Sequence, residues 1–153
     1  YVSDDLAKVL GRITQQGDTV KVEKIWLPQN SNGMAFSADG KTLYVNQTFP
    51  AALKAIDLTS NPPLITTIAA PTGLASLSVF DGLTIDKQSN LFIAAWMSGK
   101  VIKAQTNGSL CILAEGLGHP SDLAVGSGPQ FNNTSLYVIT HGGKVFELPG
   151  AAH

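Results

Sequence analysis

The sequence predicts an all-β fold made of repeated hairpins, and three observations support this prediction. One motif occurs three times: a small polar pair, a short apolar strand, a turn rich in Asp, Gly, Asn and Ser, and a second apolar strand. The three copies are Ser31–Gln47, Phe80–Trp96 and Pro120–Thr140. The segments between them alternate apolar and polar residues, which is the pattern of half-buried strands. The chain also contains 15 glycines and 8 prolines, which disfavour helices.

The spacing of the copies indicates how the hairpins are arranged. Equivalent positions in successive copies, Asn32, Asp81 and Ser121, are separated by roughly 40–50 residues, the length of one blade of a β-propeller. The sequence therefore predicts a β-propeller of four-stranded antiparallel blades.

The first 30 residues predict a blade that lacks its innermost strand. Tyr1–Ser3 matches the second-strand signature that recurs at Leu43–Val45 and Leu136–Val138, and no first strand precedes it. Lys8–Thr14 and Thr19–Trp26 then have the alternation of a third and a fourth strand.

Two complete blades and an incomplete one follow. Asp39-Gly40 is typical of a tight hairpin turn, because Gly takes a positive φ without strain. In residues 31–75 we predict strands at Met34–Phe36, Thr42–Asn46, Ala52–Asp57 and Leu64–Ala69. In residues 76–118 we predict strands at Leu83–Ile85, Leu91–Ala95, Lys100–Gln105 and Ser109–Ala114. In residues 119–150 we predict strands at Leu123–Val125, Leu136–Thr140 and Lys144–Leu148.

These fourteen strands predict a single partial propeller domain over residues 1–153, with blades at about 1–30, 31–75, 76–118 and 119–150. The two incomplete blades predict that the chain is the C-terminal part of a longer propeller, or one piece of a split one. Open sheet edges and uncovered apolar faces favour pairing with other chains. We therefore expect the chain to self-associate or to bind the remaining propeller segment.

Composition excludes several classes of function. The chain of 153 residues is 44% hydrophobic and 14% charged with a formal net charge of −1, so it can bury a core but offers no basic surface for nucleic acid. It has no run of about 18 apolar residues that would span a membrane. One cysteine, Cys111, excludes an internal disulfide and a cysteine-rich zinc site, and we interpret it as a buried strand thiol.

Glycosylation motifs slightly favour a secreted protein. Asn-X-Ser/Thr sequences occur at Asn46, Asn107, Asn132 and Asn133. The N-terminal residues have neither the basic nor the apolar segment of a signal peptide. The localisation therefore stays open.

Strand direction predicts which residues share one end of the propeller. Direction alternates at each turn, so the entry to the first strand of a blade lies at the same end as the loop between its second and third strands. This end would carry Asn32, Asp81 and Ser121 near the central channel, with His119 nearby. The surrounding loops would be Thr48–Pro50, Trp96–Ser98 and His141–Gly143. Polar groups converging between apolar walls are typical of a ligand pocket.

The motifs together resemble a known family. Three segments are similar to the regucalcin/gluconolactonase/luciferin-regenerating-enzyme family of six-bladed β-propellers. They are SNGMAFSADGKTLYV, DGLTIDKQSNLFIAAW, and HPSDLAV followed by LYVITHGGKVFEL. The resemblance extends from about Gln29 to Leu148 and implies that the chain forms about half of a six-bladed ring.

The same resemblance implies an activity and a cofactor. It implies a divalent cation, commonly calcium, in the central pocket, and hydrolysis of lactones or related esters. Asn32 matches the metal-binding Asn of the family, and Asp81 matches its metal-binding Asp, which is also proposed to act in proton transfer or nucleophilic attack. The acidic ligand from the first blade and a further Asn of the family have no counterpart in the sequence.

The candidate residues also have purely structural interpretations. Asn32 precedes Gly33, as in an ordinary Asn-Gly turn, and Asp86 is interpreted as a turn residue. His119 and His141 are candidates for proton transfer, but both lie in predicted loops. Phe49, Trp96 and Ser121 are candidates for substrate binding, although the two aromatic side chains could equally cap the inner strands. A non-catalytic propeller that binds a small ligand or a protein is therefore the alternative function, since one fold hosts many functions.

Overall fold

Fourteen β-strands in four antiparallel sheets make up the chain in the computed structural model, which describes residues 1–153. The first sheet contains β1 (Val2–Asp4), β2 (Val9–Gln16) and β3 (Thr19–Leu27). The second contains β4 (Met34–Phe36), β5 (Thr42–Gln47), β6 (Ala52–Asp57) and β7 (Leu64–Ala69). The third contains β8 (Phe80–Ile85), β9 (Leu91–Ala95), β10 (Lys100–Ala104) and β11 (Leu110–Ala114). The fourth contains β12 (Pro120–Val125), β13 (Leu136–Thr140) and β14 (Val145–Leu148).

Each sheet is a meander, because its strands are hydrogen-bonded in sequence order. The prediction of an all-β fold with three strands in the first sheet, four in each of the next two and three in the last is confirmed. Two inner strands begin earlier than predicted: β8 at Phe80 and β12 at Pro120. Both start with a shift in strand register, which the alternation of residue types does not reveal.

One helical segment was not predicted. A 3-10 helix at Gly73–Leu77 lies in the connection between the second and third sheets. No helix of the chain is long and apolar enough to cross a membrane.

Successive sheets pack face to face through three apolar clusters, which form the core. The first two sheets meet around Leu10, Leu43 and Ile56. The second and third meet around a larger cluster that includes Phe80, and the third and fourth around one that includes Phe92. Each large side chain buried in this way stabilises the fold by about 1.5–3 kcal/mol. The stack of sheets brings the inner strands β4, β8 and β12 side by side.

The outer faces of the first and last sheets have no such partner. Val2, Ile13 and Val22 are exposed on the first sheet, and Ile139 and Val145 are exposed on the last. Both sheets therefore present apolar surface that the chain itself does not cover.

Cys111 departs from its prediction as a buried thiol. It lies on β11, the outermost strand of the third sheet, and its side chain is exposed. Strand periodicity indicates on which face a residue lies, but whether a neighbouring sheet covers that face depends on packing.

Candidate functional site

A direct contact between the second and third sheets brings Asn32 and Asp81 together. The backbone N–H of Gly33 donates a hydrogen bond to the carbonyl oxygen of Asp81 at 2.9 Å. A Cβ at Gly33 would lie 2.4 Å from the nitrogen of Leu83 and 2.5 Å from the oxygen of Asp81, so a side chain there would push the strands apart. Glycine in the Asn-Gly pair therefore serves the close approach of two inner strands.

A register shift in β8 frees the backbone that makes this contact. The pairing of β8 with β9 is interrupted between Phe80 and Leu83. The freed carbonyls of Asp81 and Gly82 accept hydrogen bonds from the side-chain amide nitrogen of Asn46, at 3.1 and 2.9 Å. The shift thus lets the second sheet hold the segment that carries Asp81.

Asn46 is a structural residue that the sequence showed only as the last residue of a predicted strand and as a glycosylation motif. Its side chain is fully buried. Its backbone pairs with both residues of the Asn-Gly turn, because its N–H donates to the carbonyl of Gly33 and its carbonyl accepts from the N–H of Asn32. It is therefore closed to glycosylation in the folded chain. The other three motifs, at Asn107, Asn132 and Asn133, are exposed.

The surroundings of Asp81 change the pKa of its carboxyl group. Burial is the largest influence and raises the pKa of this carboxyl group above its ordinary value, and the negative charges of Asp122 and Asp5 raise it further. His141 and the amide of Asn32 act in the opposite direction and stabilise the carboxylate. A cation bound at Asp81 would also stabilise the carboxylate, because an opposite charge lowers the pKa of an acid.

Asp5 and Asp122 are two acidic residues near Asp81 that were not among the predicted site residues. Asp5 lies between β1 and β2, where it accepts a 2.6 Å hydrogen bond from the hydroxyl of Thr48. Asp122 follows Ser121 in β12 and accepts a 2.8 Å bond from the backbone N–H of Leu123. Asp5 was within reach of sequence reasoning, because Tyr1–Ser3 was predicted as a second strand and the following loop belongs at the same end as the site.

Trp96 and two histidines form an aromatic cluster beside these acids. The ring of Trp96 stacks on His119 with 4.7 Å between centroids and meets His141 edge-on at 5.8 Å. The backbone N–H of His141 donates to the carbonyl of His119 at 3.0 Å, so the two loops are joined. The charge of His141 also lowers the pKa of Asp81, which couples the cluster to that carboxyl group.

The remaining candidates differ in accessibility. Phe49 is 57% exposed on the loop between β5 and β6, where it can contact a ligand. Ser121 is half-buried in β12, and its hydroxyl donates to the carbonyl of Ile139 at 3.5 Å. Asn32, Asp81 and Ser121 line none of the five main cavities of the chain.

The oxygen donors of the site are of the type that a hard cation binds, but there are few of them. Calcium prefers six to eight oxygen ligands, mostly carboxylate and amide or backbone carbonyl oxygens. Asn32 and Asp81 supply donors of this type. The chain has no group of three or more His, Cys, Asp or Glu side chains placed to hold a metal ion. Any cation at Asn32 and Asp81 would need further ligands, from water or from other protein groups.

Comparison with family models identifies the relationship. A model described as the SMP-30/gluconolactonase/LRE-like region matches residues 9–142. The chain belongs to this family. The resemblance seen in the three sequence motifs is thereby confirmed. A search of curated proteins found no significant match.

Solved structures with a similar fold include three proteins of this kind. A luciferin-regenerating enzyme has a TM-score of 0.65 and 22% identity, over 86% of this chain and 48% of that one. A gluconolactonase from Xanthomonas campestris has a TM-score of 0.62 and 22% identity, over 78% of this chain and 37% of that one. Regucalcin from Agrobacterium tumefaciens, described as a calcium-binding protein, has a TM-score of 0.61 and 22% identity, over 76% of this chain and 44% of that one.

These similarities confirm the β-propeller fold. This family member spans less than half the length of each of the three structures. At this level of identity they establish architecture, whereas activity and ligands have to be argued from the residues of the site.

Proposed function

We propose that the chain contributes the cation-binding and proton-transfer part of a gluconolactonase-like hydrolase that acts on lactones or related esters. The observation that most supports this proposal is the placement of Asn32 beside Asp81, held by the 2.9 Å bond from Gly33 to the carbonyl of Asp81. These are the two residues that match the metal-binding motifs of the family. The raised pKa of Asp81 is consistent with a carboxyl group that takes part in proton transfer.

Each residue has a defined role in this proposal. Asn32 and Asp81 would hold a divalent cation, calcium being the best candidate, through their side-chain oxygens. When bound, such a cation polarises the carbonyl of an ester. Asp81 or His141 accepts the proton of the attacking water, with His119 as a further candidate for proton transfer. Phe49 and Trp96 line the surface on which the substrate lies, and Ser121 borders it.

Calcium should raise the melting temperature of the protein, and Asp81→Ala and Asn32→Ala should each remove most of that increase. A ligand that binds only the folded state at 100 times its Kd stabilises it by about 2.7 kcal/mol. For a chain of this length this corresponds to roughly 5–11 °C. The measurement is a thermal melt with and without calcium, followed by lactone hydrolysis on the same samples.

Asp18→Ala is the matched control for this experiment. Asp18 is exposed in the turn between β2 and β3. Asp86 would be a poor control, because it is buried and accepts three hydrogen bonds from Gln88 and Asn90, which confirms its interpretation as a turn residue. If Asp81→Ala keeps both the calcium-induced shift and any hydrolysis, the assignment of the site is wrong.

A non-catalytic propeller that binds a small ligand or a protein is the second candidate. The small number of cation donors favours it, since no group of three or more His, Cys, Asp or Glu side chains is placed to hold a metal ion. The two candidate functions differ in whether the bound molecule is hydrolysed. Ligand binding at the end of the propeller that carries Asn32 and Asp81 would support the binding function, if that binding neither needs calcium nor leads to hydrolysis.

We also propose that a further propeller segment or a second copy of the chain covers the apolar faces of the first and last sheets. Val22 and Val145 are more than half exposed on these faces, and uncovered apolar faces favour association. Sedimentation velocity of the isolated chain should show dimers or larger species, and Val22→Lys with Val145→Lys should reduce them. A monodisperse, cooperatively unfolding monomer would contradict the proposal.

A further inference from the structure

One cavity of the chain lies away from the acidic site, on the outer half of the third sheet. It has a volume of about 410 Å³ and is bounded by β10, β11 and the 3-10 helix at Gly73–Leu77. We call it the outer cavity. Most of its lining is apolar: Pro71, Leu74, Ala75, Ile102, Leu110 and Ile112. Its volume is within the range of pockets that bind small molecules, about 300–1,000 Å³.

Neighbouring elements of the second and third sheets flank the outer cavity. At one end the turn between β10 and β11 touches the second sheet, because a Cβ at Gly108 would lie 2.6 Å from the carbonyl oxygen of Ile68. At the other end Leu74 and Ser78 form part of its wall. The outer cavity is therefore a bounded depression between two blades rather than a flat apolar face.

The outer cavity and the acidic site lie on either side of one loop. Ser98 lines the outer cavity, and Trp96, two residues earlier, contacts His119 and His141 on the site side. The loop is held by backbone hydrogen bonds from Trp96 to the carbonyl of Val79, at 2.9 Å, and from Met97 to that of Ser78, at 3.0 Å. The side chain of Met97 between them is exposed, and its flexible thioether suits variable apolar contacts.

We propose that the outer cavity binds the alkyl chain of an ester or lactone whose carbonyl group lies at Asp81. This inference rests on the proposed function, because it names the substrate class of the same site. The outer cavity is on β10 and β11, and β10 is two strands away from β8. Two strand spacings amount to about 10 Å, a gap that an alkyl chain of roughly eight carbons crossing Met97 just spans, so that longer chains reach into the outer cavity.

The lining favours an apolar chain over a polar or charged ligand. Lys100 is the only charged residue that lines the outer cavity, and its amine lies 3.7 Å from a carboxylate oxygen of Glu115. The aliphatic stem of a lysine can cover apolar surface while its charge stays in water. The remaining lining residues are Ser78, Ser98 and Cys111.

A thiol placed in the outer cavity allows a binding test that needs no turnover. Cys111 cannot serve, because it pairs with Lys103, whose amine lies over the ring of Phe92, whereas Ile112 pairs with Ile102 on the opposite, cavity-lining face of the sheet. In a chain that carries Cys111→Ser and Ile112→Cys, an occupant should therefore shield the introduced thiol from iodoacetamide. The probes are γ-butyrolactone, γ-dodecalactone and γ-hexadecalactone, which carry no chain, an octyl chain and a dodecyl chain. At about ten times its Kd, γ-hexadecalactone should slow alkylation about tenfold, because only unoccupied cavities react. Each additional buried CH₂ should tighten binding about threefold to fourfold, and γ-butyrolactone should give no protection.

Leu74→Ala and Leu64→Ala form a matched pair for this test. Both shorten a leucine side chain that is more than half exposed, but only Leu74 lines the outer cavity. Leu74→Ala should weaken protection by γ-hexadecalactone, and Leu64→Ala should leave it unchanged. Equal protection by all three lactones, or by none, would overturn the inference.

The remaining outcomes separate this inference from the proposed function. Chain-length-dependent protection without hydrolysis of any lactone supports the outer cavity as an alkyl site and contradicts the hydrolase. Calcium-dependent hydrolysis with equal kcat/KM for the three lactones and no protection supports the hydrolase and overturns the inference. Protection that appears only together with a dimer in sedimentation assigns the outer cavity to a second copy of the chain. That result would also overturn the inference.

Discussion

Gly33→Ala is expected to destabilise the chain by about 3 kcal/mol, at the upper end of the usual cost of overpacking. The added Cβ would lie 2.4, 2.5 and 2.6 Å from backbone atoms of Leu83, Asp81 and Gly82. Backbone atoms in a sheet cannot turn aside as a flexible side chain can, so β4 and β8 must separate. The bond from Gly33 to the carbonyl of Asp81 would lengthen or break, and urea unfolding monitored by tryptophan fluorescence would measure the loss.

Gly142→Ala is the control for this prediction. Gly142 lies in the loop that carries His141, at the same end of the propeller, but a Cβ there has Thr140 Oγ1 as its nearest atom, at 3.7 Å. The same chemical change should therefore alter stability by less than about 0.5 kcal/mol. Equal losses from the two variants would show that the tight contact at Gly33 does not exist in solution.

Asn46→Ala is expected to cost about 1–3 kcal/mol and to weaken calcium binding. The amide group donates to the carbonyls of Asp81 and Gly82. The carbonyl of Asp81 keeps the bond from Gly33, so the cost is about that of one buried hydrogen-bond partner lost, at Gly82. The loss should come with a reduced calcium-induced melting shift, because the segment that carries Asp81 is no longer held against the second sheet. Melting curves with and without calcium measure both effects.

Asn133→Ala is the matched control, since Asn133 is exposed and lies in a loop. It should change neither the melting temperature nor the calcium response. Asn46→Asp should be at least as damaging as Asn46→Ala at neutral pH, because a carboxylate cannot donate to the two carbonyls and would be buried without a partner. An unaffected calcium response in a folded Asn46 variant would mean that Asn46 does not position Asp81.

Local patterns were sufficient to predict the strands. Alternation over Thr19–Trp26, the Asp39-Gly40 turn and the repeated Leu-Tyr-Val signature each depend on residues that are neighbours in sequence. The order of strands within a blade follows from the same information, because antiparallel strands joined by short turns pair with their neighbours. The prediction that Asn32 and Asp81 share one end of the fold also follows from strand direction alone.

Contacts between sheets could not be predicted in the same way. Asp5, Asn46 and Asp122 come from three different sheets or their connections, and they approach Asp81 only when those sheets pack together. The register shift that frees the carbonyl of Asp81 has no signature in the alternation of residue types. The outer cavity and the exposure of Cys111 depend on how far one sheet covers the next.

Sequence alone thus established the all-β propeller repeat, the family and the two residues that match its metal-binding motifs. Tertiary structure decided which side chains surround those two residues, how tightly the inner strands approach at Gly33, and where an apolar depression is left open. The physical reason is the range of the interactions. Turn geometry and hydrophobic alternation act over a few residues, whereas burial, the pKa of Asp81 and the fit of a Cβ are set by atoms that lie about a blade or more apart in the chain.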